Sequence, residues 1–161
     1  MRLLLALSAV SLALSSGDTD RVTATVTVTG DAHAGTYYLR NVYSPCEINR
    51  KNAPAPKHEF DVMAGGQAPV NDSTKLTVLL LTIPDADVKG ANPSFSATII
   101  FGDVRRGTRY EVETRPGREN RGSGTVSLAT RGQDATVTFE ATSVNGVAYK
   151  GTMVCVDVSR N

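Results

Sequence analysis

The chain has 161 residues, 40% hydrophobic and 20% charged, which excludes wholesale disorder and fits one ordinary domain with a real core. Thr, Val, Gly and Ser are abundant, and that mixture favours strands and turns over helices. Of 17 basic side chains one is Arg2, against 16 acidic ones, so a chain that lost its N-terminus would carry no formal net charge. Global attraction to a polyanion is thereby excluded, and an electrostatic partner must meet a local patch.

Residues 1–16 have the order of a secretory signal peptide. Met1 and Arg2 supply a minimal positive start, Leu3 to Leu14 is an uncharged apolar run, and Ala13, Ser15, Ser16 and Gly17 offer small residues for cleavage. The run is shorter than the ~20 residues that span a bilayer. No second apolar run is long enough to cross a membrane, so no transmembrane span is expected in a mature chain covering 17–161. The expected location is therefore outside the cytoplasm, periplasmic or extracellular. An oxidising compartment lets the only two cysteines, Cys46 and Cys155, form a disulfide.

Val22 to Thr29 alternates strictly, with Val22, Ala24, Val26 and Val28 on one face and four threonines on the other, the pattern of a half-buried strand. After a turn near Gly30 and Gly35, Thr36 to Tyr43 is a second extended segment carrying Tyr37, Tyr38 and Tyr43. Ser44 to Pro56 reads as an irregular loop, because Pro45, Pro54 and Pro56 exclude a central strand. His58 to Met63 is a short strand. Leu76 to Ile83 is a continuous apolar run ended by Pro84, read as a central strand buried on both sides.

Asp85-Ala86-Asp87 has the composition to start a short helical turn. Ser94 to Phe101 alternates again, with Phe95, Ala97, Ile99 and Phe101 inward. In Thr108 to Glu113, Tyr110 and Val112 point inward and the glutamates outward. Thr125 to Thr130 and Ala135 to Thr142 are strands joined around Gly132. Asn145-Gly146 is a hairpin signal. A two-residue loop there pairs Phe139 with Thr152 and puts Cys155 on the wrong face, a conflict that a bulge at Gly151 would relieve. The expected fold is an all-β antiparallel β-sandwich, immunoglobulin-like or jelly-roll, of eight or nine short strands with one disulfide.

Residues with chemical capacity are sparse. His33 and His58 have no metal-ligand spacing, and a metal site would have to combine them with Met63 or Asp31. No serine sits in a nucleophile-elbow string. Close carboxylate pairs occur at Asp18/Asp20, Asp85/Asp87 and Glu111/Glu113 and read as solvated ion partners. No cofactor, metal or catalytic residue is implied. Asn71-Asp72-Ser73 matches a glycosylation acceptor.

The distinctive feature is an arginine cluster: Arg105, Arg106, Arg109, Arg115, Arg118 and Arg121, followed by Arg131, against Asp103, Glu111, Glu113 and Glu119. Guanidinium groups bind carboxylate, phosphate and sulfate bidentately. Without interleaved aromatics the cluster does not suit nucleic acid. The expected function is thus a non-enzymatic binding or structural subunit of the cell envelope or extracellular space. Its partner would be another protein or an acidic surface polymer, met by an Arg-rich hairpin. The alternative is a small secreted hydrolase or metal-dependent enzyme using His33 and His58.

Overall fold

The computed structural model describes residues 20–41, 45–51, 57–65 and 72–161. Residues 1–16, read above as a signal peptide, and Asp18, Tyr43, Pro54, Pro56 and Asn71 lie outside the described residues.

Among the described residues the two-residue periodicity of the sequence resolves into eleven strands in two sheets. The first sheet has five strands in the order β2 (Gly35–Asn41), β1 (Val22–Thr29), β10 (Ala148–Cys155), β9 (Asp134–Thr142) and β8 (Ser123–Arg131), all antiparallel. The second has six, in the order β11 (Ser159–Arg160), β3 (Glu47–Lys51), β4 (Lys57–Gly65), β5 (Leu76–Ile83), β6 (Ser96–Phe101) and β7 (Thr108–Glu113). Its pairs are antiparallel except β11 with β3. The sheets pack face to face as a sandwich, and among the described residues no helix is long and apolar enough to cross a membrane.

The core is the set of inward positions that alternation marks. Val22, Ala24, Val26 and Val28 of β1 are buried, as are Phe95, Ala97, Ile99 and Phe101 of β6 with its preceding residue. With Phe139, Tyr149 and Met153 of β9 and β10, which share the first sheet with β1, they form one core cluster between the sheets. Each such Val, Ile or Phe side chain contributes about 1.5–3 kcal/mol by leaving water. Tyr149 crosses the core and donates its hydroxyl to the Ala97 carbonyl at 2.9 Å, so its one polar atom is satisfied.

Both sides of the sandwich are tied. Asn41, buried on the β2 edge, donates to the Met63 and Gly65 carbonyls of β4 at 3.5 Å. On the opposite side, backbone bridges join Asn92 to Val126 and Glu113 to Arg121. Cys46, just before β3, and Cys155, at the end of β10, form the expected disulfide, with Cα atoms 6.0 Å apart and both residues fully buried. Beyond it the chain crosses between sheets through Asp157, whose φ is +61°, and lays β11 against β3.

The structure departs from the sequence reading in four places. Glu47–Lys51, expected as loop, forms β3; its polar residues fit an outer strand paired with β4. In β5 the register shifts between Leu76 and Val78, so Thr77 bulges and donates to the Ile100 and Gly102 carbonyls at 2.9 and 2.8 Å. Leu79, Leu81 and Ile83 then face the core while Leu80 is 39% exposed, so β5 is not buried on both sides throughout. Asp85-Ala86-Asp87 forms a turn rather than a helix, and the Ala86 amide donates to the His58 carbonyl.

The fourth departure concerns the last hairpin. Thr142 pairs with Ala148, the Ser143 amide donates to the Val147 carbonyl, and the Gly146 amide donates to the Ser143 carbonyl. The loop therefore has three residues, Val144-Asn145-Gly146, with Gly146 at φ +78° in the left-handed position such loops require. Phe139 consequently pairs with Gly151, and Val137 with Met153. One residue of register turns Tyr149, Met153 and Cys155 to the core and Val154 to solvent. The bulge expected at Gly151 is absent, because the register leaves no conflict for it to relieve.

Candidate functional site

The arginine cluster is contiguous in sequence and drawn out along β7 in space. Arg105 and Arg106 lie in the β6–β7 turn and Arg109 begins β7, while Arg115, Arg118 and Arg121 follow its far end. β7 spans roughly 20 Å between the β6–β7 turn and Arg115, but Arg109 and Arg121 approach the two oxygens of one Glu111 carboxylate, at 3.4 and 3.8 Å, so Glu111 links the two groups.

The far group is largely neutralised. Arg115 grips Glu113 with two guanidinium nitrogens, at 2.8 and 2.5 Å, and both side chains are about one-fifth to one-quarter exposed (19% and 26%). The Arg115 hydrogen bonds hold the Glu113 carboxyl below its ordinary range, and those same bonds raise Arg115. Arg121 pairs with Glu119 at 2.9 Å and approaches Glu111 at 3.8 Å. Among the described residues Arg118 has no carboxylate within 4 Å, though its charge acts on Glu113. These residues sit over the outer face of the six-stranded sheet, beside a row in which Glu47, Asp61, Thr82, Ser96 and Glu113 are successive cross-strand neighbours. The carboxylate row gives the guanidiniums partners within the chain.

The near group differs. Asp103 Oδ1 accepts the backbone amides of Arg105 and Arg106 at 2.9 and 3.0 Å, and the Gly107 amide returns to the Asp103 carbonyl. The turn is thus ordered by its own backbone, in the manner of an Asx turn. Both arginine side chains and Val104 are exposed, and among the described residues neither guanidinium has a carboxylate partner. Arg109 is part of the way between: it approaches Glu111 at 3.4 Å and donates to the Val104 carbonyl at 3.3 Å.

The two histidines do not share a site. His33, in the β1–β2 turn, donates Nε2–H to the Ser73 carbonyl at 3.1 Å and stacks on Phe101, with ring centroids 4.3 Å apart. Its Nδ1 bonds the Tyr110 hydroxyl at 2.9 Å, and that hydroxyl donates to Asp31 at 2.5 Å. The bond from Tyr110 lowers the Asp31 carboxyl; burial first, then the Asp31 bond, pushes the Tyr110 phenol up. His58 stands at the other end of the six-stranded sheet, 2.8 Å from Asp87. The length of β5 separates them, roughly 20–25 Å. Met63 lies on β4 and joins neither. Among the described residues no three His, Cys, Asp or Glu side chains converge to hold a metal ion.

Sequence reasoning passed over one surface. The outer face of the five-stranded sheet carries two adjoining open concavities of about 490 and 500 Å³, sharing Thr27, Thr125, Glu140 and Lys150. The signal was present in the outward threonines of β1, but alternation alone reads those as ordinary solvent-facing positions.

Searches against family models, curated proteins and solved structures find no match to this chain.

Proposed function

We propose that the chain is an exported, non-enzymatic binding domain of the cell envelope or extracellular space, which docks an acidic surface polymer or acidic protein through the β6–β7 turn. One observation carries this reading. Arg105 and Arg106 project from a turn already ordered by Asp103, and their guanidiniums have no carboxylate partner among the described residues. The chain satisfies Arg115 and Arg121 internally and leaves these two available. A turn that is pre-ordered loses little entropy on binding, and two adjacent guanidiniums match paired carboxylates, sulfates or phosphates. The buried Cys46–Cys155 disulfide is compatible with an oxidising compartment, and the leader at 1–16 supplies the route of export.

The test is retention of the mature protein on an immobilised polyuronate or sulfated polysaccharide. The wild type is expected to be retained at low salt and released as salt screens the contact. The Arg105→Ala/Arg106→Ala variant is expected to pass through unretained with unchanged thermal stability. Retention that ignores salt, or that survives the double substitution, would overturn the assignment.

A further inference from the structure

We propose that the concave outer face of the five-stranded sheet is a second binding site, for a neutral polysaccharide. The site goes beyond the acidic-partner reading and lies on the other sheet.

Strand register assembles it. Tyr38, Thr25, Thr152, Thr138 and Ser127 are successive neighbours across β2, β1, β10, β9 and β8. The adjacent row is Thr36, Thr27, Lys150, Glu140 and Thr125. Neighbouring strands lie about 4.8 Å apart, so each row spans roughly 19 Å, a length suited to a short run of sugar rings. Hydroxyl groups that both donate and accept repeat along each row, as they do along a glycan. The Thr27 and Thr36 hydroxyls already bond each other at 3.1 Å, which fixes one end of the second row.

Charge decides the ligand class. Lys150 and Glu140 are direct cross-strand partners within the groove. Arg40 has Asp20 at 3.7 Å, and Arg131 faces Asp134 across the β8–β9 turn. Lys150 and Arg131 each have an acid as direct cross-strand neighbour and Arg40 has one at 3.7 Å, so an uncharged, hydroxyl-rich chain suits the groove better than a polyanion. An apolar ligand would strand the threonine hydroxyls without partners. Tyr38, 79% exposed at the end of the first row, offers an aromatic face for a sugar ring to stack on. Its phenol edge remains free to hydrogen-bond a ring hydroxyl.

The experiment is affinity electrophoresis of the full mature chain through gels containing one neutral polysaccharide each: a β-1,3-glucan, a soluble β-1,4-glucan, a galactomannan, a xylan and an α-glucan. Retardation by at least one of these is expected, undiminished by added salt and unaffected by Arg105→Ala/Arg106→Ala. Thr138→Val/Thr152→Val keeps shape and strand preference while removing two hydroxyls, and should weaken binding about tenfold. Tyr38→Ala should weaken it comparably. Unchanged melting temperatures of both variants would show that the fold is intact. No retardation in any gel overturns the proposal, as does retardation that persists in the Thr138/Thr152 variant. Retardation abolished by salt or by the arginine substitutions also overturns it, because binding would then belong to the β6–β7 turn.

Discussion

Gly151→Ala tests the strand register on which the packing depends. Gly151 faces inward, between Val26 and Phe139. A methyl group there would lie 2.2 Å from the Thr25 carbonyl oxygen and 3.0 Å from the tip of the Phe139 ring. The ring can swing aside. The carbonyl cannot, because it belongs to the backbone of β1, so relief requires β1 and β10 to part. Overpacking of this kind costs about 2–3 kcal/mol, or about 4–12 °C in melting temperature for a domain of this size. Urea unfolding followed by circular dichroism measures it directly. With a two-residue loop at Asn145-Gly146, Gly151 would instead pair with Glu140 on the solvent face. Alanine there would be neutral or mildly stabilising. A loss below about 0.5 kcal/mol, the range of exposed sites, would therefore refute the register.

Other consequences are equally open to measurement. The Cys46→Ser/Cys155→Ser protein should lose about 4–5 kcal/mol on the chain-entropy model, given the separation of 109 residues, and intact mass of the native protein should rise by two hydrogens on reduction. Tyr149→Phe removes the hydroxyl bond to the Ala97 carbonyl and should cost about 1 kcal/mol in chemical unfolding. The Tyr110 and Tyr149 phenols are both raised, burial being the main cause. The unfolded chain then releases these protons first. Stability should be full below about pH 10 and fall as pH climbs through the folded values, more shallowly in Tyr149→Phe. Glu113 shows the opposite sign. Its carboxyl is lowered by Arg115, so its contribution is present above the ordinary value of 4.5 and is lost as acid protonates it. Glu113→Gln should cost on the order of 1 kcal/mol at neutral pH and flatten the acid limb of a stability profile.

The strand set was legible wherever one face is apolar and the other polar. The bounds of β1 and β7 match the sequence reading residue for residue, because burial on one side enforces a two-residue period, and those of β5 match because its continuous apolar run stops at Pro84. Glu47–Lys51 carries no such signal: its pairing with β4 and β11 is a tertiary fact. Asn145-Gly146 marks a hairpin equally well with two or three loop residues, and only packing of Met153 and Cys155 chooses between them. Arginine density along the chain does not show how the charges are paired: Glu113 and Glu119 claim Arg115 and Arg121, Glu111 lies between Arg109 and Arg121, and Arg105 and Arg106 stand in the β6–β7 turn. The hydroxyl groove was illegible for a related reason. Threonine is also the ordinary outward residue of a strand, and concavity belongs to the sheet rather than to any residue in it.

The most direct test of the binding-domain account is the affinity of the mature chain for an immobilised polyuronate, measured over a salt series for the wild type and for Arg105→Ala/Arg106→Ala. The account predicts binding that weakens steadily with salt in the wild type and is lost in the variant at every salt concentration. Equal affinity of the two proteins, or no binding even at low salt, would contradict it.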